Sequence, residues 1–251
     1  MIEEYISFYS DEFKLEGILS YDDYENNGTF DNEAKSDSKP VVSIPQSVLL
    51  CSPHPHLGGD MDNNVISALA EVLTKNGFIT LRFNYRGVGE SESNLADISQ
   101  KFEYWGKTMD SEDYGDFVTD VNAALDFLIK AVENGNSIDK PLPKPVFFVG
   151  YSFGAILSMK AGFNNENVKS VVCISTPFGK YDLSAAEKSE KPKFFICSDN
   201  DFAASCDEAR ESFKKFAEPK IMEIVYDCDH FYRGKERLIA EKVAYYLRGM
   251  S

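Results

Sequence analysis

The sequence predicts an α/β fold built on a mostly parallel sheet with helices on both faces. Three observations carry this. Beyond Pro45, short apolar runs alternate with amphipathic stretches to the end of the chain. The apolar runs are nearly continuous rather than alternating, as strands buried on both faces require. The stretches between them repeat their apolar residues at helical spacing, and strand–helix alternation of this kind gives parallel strands joined by right-handed crossovers.

The elements follow in order. EEYISFYS and FKLEGILSY alternate bulky and polar residues around Asp11 and Glu12, which reads as an antiparallel hairpin at a sheet edge. From Asp22 to Ser43 the chain is Asp, Asn, Lys, Ser and Gly with scarcely an apolar residue, so a flexible surface loop without chemistry is expected over 22–43. QSVLLC is the first core strand. NNVISALAEVLTKNG is a helix with Val65, Ile66, Leu69, Val72 and Leu73 on one face and a stop at Gly77. FITLRFNY is the next strand, and SEDYGDFVTDVNAALDFLIKAV is a helix whose apolar face carries Phe117, Val121, Leu125, Leu128 and Val132. KPVFFVG is a strand that runs through a glycine and a serine into a helix. VKSVVCIS and KFFICS are strands, and Ser205 and Glu208 stand at capping-box spacing at the start of another helix. KIMEIVYD is the last strand, and the last helix runs through Leu238, Ile239, Val243 and Leu247. There is no internal repeat, and one domain over residues 1–251 is expected.

Forty-one acidic against 26 basic residues give a formal charge of -15. That field repels phosphate backbones and anionic headgroups, so neither nucleic acid nor membrane is an expected partner. The five cysteines, Cys51, Cys173, Cys197, Cys206 and Cys228, are odd in number and form no C-x-x-C pair. They read as small buried hydrophobes in a reducing compartment. The N-terminal MIEEYISFYS has no secretion-signal pattern, and no run approaches the ~20 apolar residues of a membrane helix. A cytoplasmic protein is expected.

The chemistry is concentrated at Gly150-Tyr151-Ser152-Phe153-Gly154, a G-x-S-x-G between a strand and a helix. Such a turn must be tight enough to lift the serine oxygen above the sheet, and the two glycines give the room it needs. A serine hydroxyl needs a base titrating near neutrality. Of His54, His56 and His230, only His230 lies downstream of Ser152, where this motif places the base. A carboxylate should orient that imidazole, and KFFICSDNDFAAS offers Asp201, the preferred residue, and Asp199. The oxyanion needs preorganised N–H donors. Phe153 supplies one, and the loop CSPHPHLGGD supplies a second from His56 or Leu57. His54, His56 and Asp60 have the residue types of a metal site, but a proline between the histidines does not help them converge, so no metal is expected and they read as loop structure.

These segments together resemble the α/β-hydrolase superfamily, over most of the chain from Ser47 onward. SPHPHLGGDMDNNV, LRFNYRGVGESES, GYSFG and CDHFYRG are similar to the motifs of small lidless hydrolases near the dienelactone hydrolases. The resemblance implies the α/β-hydrolase fold with an eight-stranded sheet, a Ser152–Asp201–His230 triad and no cofactor. It also implies a structural role for the turn at Arg86, Gly87 and Gly89. STPFGKYDLSAAEKSEKP is too short for a large cap, so an open site is expected, lined by Tyr151, Phe153, Phe178 and Phe231. The expected function is a serine hydrolase acting on a small ester or thioester as a monomer or homodimer. A small peptidase or amidase, and a non-catalytic binding protein on the same scaffold, are the alternatives.

Overall fold

The computed structural model describes residues 1–22, 46–110, 114–134 and 145–250. Nearly all of the loop expected over 22–43 lies outside the described residues.

The predicted strands form one eight-stranded sheet in the order β1-β2-β4-β3-β5-β6-β7-β8. β1 (Ile2–Ser10) and β2 (Phe13–Tyr21) are the antiparallel hairpin, and β2 pairs antiparallel with β4 (Ile79–Phe83). From β4 through β3 (Ser47–Cys51), β5 (Val146–Tyr151), β6 (Val168–Ile174), β7 (Lys193–Ser198) and β8 (Lys220–Val225) all pairs are parallel. This is the α/β-hydrolase fold.

The period of two along each strand resolves the continuous apolar runs into two cores. Leu49, Cys51, Phe148, Phe195 and Cys197 face one side; Val48, Leu50, Phe147, Val149, Phe194 and Ile196 face the other. The second side is covered by α1 (Asn64–Lys75) and α7 (Glu236–Arg248). The first is covered by α3 (Gly115–Asn134), α4 (Phe153–Gly162) and α6 (Cys206–Lys215), with Trp105 of α2 (Ile98–Asp110) and Ala186 of the one-turn α5 (Ser184–Glu187). Ser205 accepts the Glu208 N–H, the cap its spacing suggests, and Asn63 caps α1 by accepting the Val65 N–H. All five cysteines are buried and free.

α2 is not among the helices expected from the sequence; Trp105 is its one buried apolar side chain, while Ile98 and Phe102, at the same helical spacing, are exposed. Two other signals hold it. Asp97 caps it by accepting the Gln100 N–H at 2.9 Å, and its last turn docks on the loop after β3.

A buried polar cluster ties the hairpin to the sheet and to α3. Asp120, fully buried on α3, accepts from the Arg86 backbone N–H (2.9 Å), the Arg86 guanidinium (2.7 Å at Nη2) and the Ser10 hydroxyl of β1 (2.7 Å). Burial works against the Arg86 cation, and the Asp120 carboxylate outweighs it.

Candidate active site

The carboxyl ends of β3, β5, β7 and β8 lie along one edge of the sheet, where open α/β sheets place their sites. Ser152 follows β5 directly, at φ 56 and ψ -120, with its N–H held by the Ile174 carbonyl at 2.8 Å. The glycines either side are steric requirements: a Cβ on Gly150 would meet the Gly154 carbonyl oxygen at 2.1 Å, and one on Gly154 would meet the Cys51 carbonyl oxygen at 2.1 Å. The elbow therefore wedges between β5, α4 and the end of β3 with no side chain to spare.

His230, on the loop after β8, places Nε2 at 3.1 Å from Ser152 Oγ. Its Nδ1 stands 2.8 and 2.9 Å from the two oxygens of Asp201, on the loop after β7. A carboxylate can only accept, so Nδ1 carries the proton and Nε2 presents its lone pair to the serine hydroxyl. The Asp201 side chain is fully buried, and its Oδ1 also accepts the N–H groups of Ala203 (2.9 Å) and Ala204 (2.7 Å). Burial raises the Asp201 pKa, but the hydrogen bonds and charge of His230 with the backbone N–H of Ala204 outweigh it and leave the carboxyl below its ordinary value. Asp199 stands apart from the imidazole. Its Oδ1 accepts the Cys228 N–H at 3.3 Å and braces the turn after β8.

Two of the residues expected to line the entrance belong to the core instead. Tyr151 is buried under the site, where its hydroxyl donates to the His230 carbonyl at 2.6 Å. Phe178 packs against Phe195 and Phe216. Tyr151 is the last residue of β5 and joins the core on the α1 and α7 side, while Phe178, in a 3-10 turn after β6, joins the core on the other. Phe153 is buried as well, so it reaches the site through its backbone rather than its ring. Phe231 is partly exposed beside His230, and Phe202, which the sequence did not single out, lies exposed next to it. Its position directly after Asp201 was the available signal.

The N–H of Phe153 belongs to the first turn of α4, where helix geometry provides no intrahelical acceptor. The two donors expected from the loop after β3 are engaged within that loop: the His56 N–H donates to His54 Nδ1 at 3.1 Å, and the Leu57 N–H to the His54 carbonyl at 3.0 Å. The reason is a 3-10 turn over Pro55–Leu57, capped by His54, which closes the chain on itself. His54 is buried, with its ring centroid 4.5 Å from that of Phe153. Thr108 donates its hydroxyl proton to the Trp105 carbonyl and so accepts from His54 Nε2 at 3.0 Å. Both ring nitrogens are thus occupied, leaving no lone pair for a metal. Burial, then the charges of His56 and Lys180, push this imidazole down to about 3, so it is neutral.

A hydroxyl, an imidazole and a carboxylate in line at the carboxyl edge of this sheet define the class as α/β serine hydrolases, and the family match agrees. The family model described as "Serine aminopeptidase, S33" (Hydrolase_4) matches residues 58–218, and the chain belongs to that family of hydrolases. An uncharacterized protein of Rickettsia prowazekii (strain Madrid E) is 28% identical over 207 residues, covering 79% of this chain and 77% of its own. Among solved structures, an alpha-beta serine hydrolase homologue from Coxiella burnetii superposes with a TM-score of 0.73 at 20% identity, over 98% of both chains. XC6422 from Xanthomonas campestris, a serine hydrolase without a lid, does so with a TM-score of 0.73 at 18% identity, over 99% of this chain and 94% of its own. These two likenesses speak to the fold. Among the described residues no helix is long and apolar enough to cross a membrane.

Proposed function

We propose that the protein hydrolyses a small ester or thioester through an acyl-enzyme intermediate. The single observation that carries this is the hydrogen-bonded line from Ser152 Oγ through His230 to the buried Asp201. Ser152 Oγ attacks the acyl carbon as its proton passes to His230 Nε2, and Asp201 stabilises the imidazolium. The carbonyl oxygen gains charge and turns toward the Phe153 N–H. The imidazolium then protonates the departing oxygen or sulfur. A water molecule, deprotonated by the same imidazole, releases the acid and restores the serine. These steps need only groups of this chain and a water molecule, so the reading calls for no cofactor and is met by a monomer or homodimer.

Labelling by a fluorophosphonate probe tests the reading. The wild type is expected to label at one site and Ser152→Ala not at all, while His230→Ala lowers turnover of p-nitrophenyl acetate by roughly 10³-fold or more. Unlabelled, folded wild type would leave a binding protein on a hydrolase scaffold. Amide cleavage is a second reading, favoured by the family's description as serine aminopeptidase. Aminoacyl p-nitroanilides separate the two: the ester reading expects no detectable turnover of them, and the amide reading expects turnover that is lost in Ser152→Ala.

A further inference from the structure

Two phenylalanine rings stand beside the imidazole, one largely and one partly in solvent. Phe202 is 70% exposed and Phe231 37% exposed, with ring centroids 5.5 Å apart. Each follows a residue of the hydrogen-bonded line, Phe202 after Asp201 and Phe231 after His230, and their centroids lie 5.7 and 6.0 Å from the His230 ring. Both are held in place. The loop bearing Phe202 is pinned by the Ala203 and Ala204 N–H groups on Asp201. Phe231 donates its N–H to Asp229 at 3.0 Å, its carbonyl accepts from Asn64 Nδ2 at 2.9 Å, and the Arg233 guanidinium lies 4.9 Å from its ring centroid. What sets this pair apart from the other exposed hydrophobics of the surface is that the two rings adjoin each other and the imidazole, so they are placed to meet a ligand held there.

The side of the substrate that meets these rings follows from the direction of proton transfer. Nε2 must reach both Ser152 Oγ and the departing atom, so the departing group lies on the imidazole side, while the carbonyl oxygen turns toward Phe153. We propose that Phe202 and Phe231 are specificity-determining residues that receive an uncharged aryl group on the alcohol side of the substrate, making esters of arylalkyl alcohols preferred. The assignment rests on the acyl-enzyme reading above. The formal charge of -15 disfavours phosphorylated or carboxylated alcohols.

Benzyl acetate and cyclohexylmethyl acetate test it, since they share an acetyl group and closely match in size and alcohol basicity. Both give the same acetyl-enzyme, so the preference belongs to kcat/KM and not to deacylation. Wild type is expected to favour the benzyl ester roughly three- to tenfold, and Phe202→Leu/Phe231→Leu, which keeps apolar area and removes both ring faces, to bring the ratio to about one. With the ring moved to the acyl side, in methyl phenylacetate against methyl cyclohexylacetate, the ratio is expected near one in both proteins. A wild-type alcohol-side ratio near one, no turnover of either acetate, a ratio that survives the double substitution, or a preference confined to the acyl series would overturn the assignment. Fluorophosphonate labelling tells which claim has failed: labelled wild type with any of these outcomes removes this assignment alone, and unlabelled wild type removes the acyl-enzyme reading with it.

Discussion

Ser152 occupies a backbone conformation, φ 56, that a residue with a Cβ avoids, at a cost of about 1–3 kcal/mol. What holds it there is its N–H on Ile174, and the same turn lifts its oxygen toward His230. His54 illustrates the opposite case, a polar side chain whose protonation the structure forbids. Its ordinary value of 6.5 falls to about 3 in the fold. As pH falls below 6.5 the unfolded chain binds the proton first, so stability from this group is complete above 6.5 and is lost toward 3 at about 1.4 kcal/mol per pH unit. Asp201, also lowered, acts in the same direction, but only below the ordinary 3.8 of its carboxyl. Urea unfolding at pH 7, 6, 5 and 4 should show wild type losing about 2–3 kcal/mol more than His54→Gln between pH 6 and 4. Parallel slopes would mean that His54 titrates normally. The sequence marked His54 as loop structure, but its hydrogen bond to Thr108 depends on how α2, more than forty residues further along the chain, docks on that loop.

At the scale of elements, the site depends on how closely β5 and α4 approach β3. Gly154 touches the end of β3, so Gly154→Ala forces the elbow and the loop after β3 apart. It is expected to lower stability by about 3 kcal/mol and to abolish fluorophosphonate labelling. Gly115→Ala is the control. An added Cβ there meets nothing within 4 Å, so a change within about 1 kcal/mol is expected in the same urea measurement. The eight strands were legible because their apolar, β-branched and aromatic runs are short and bounded by turn residues. α2 was not read, although Ile98, Phe102, Trp105 and Met109 recur at helical spacing; of these only Trp105 is buried, so its apolar stripe marks a surface helix rather than a core one.

For the whole molecule, the order β3-β5-β6-β7-β8 brings Ser152, Asp201 and His230 to one edge from three separate loops. The far side of the sheet is secured by Asp120, which joins β1, the turn after β4 and α3. Asp120→Ala leaves Arg86 without its buried partner and is expected to cost about 3–5 kcal/mol in urea unfolding. Asp116→Ala, which removes a half-exposed partner of the same guanidinium, should cost under about 1 kcal/mol. Equal effects would show that the buried pair is not what matters. The sequence by itself determined the strands, most of the helices, the glycine-flanked serine and the one downstream histidine, because these are written in local spacing and chain order. Only the tertiary structure placed Asp201 rather than Asp199 against the His230 imidazole, drew Tyr151 and Phe178 beneath the surface and engaged the His56 and Leu57 amides within their own turn. It alone also set Phe202 beside the imidazole. Direction and burial of a side chain depend on neighbours distant in the chain, and no local pattern encodes them.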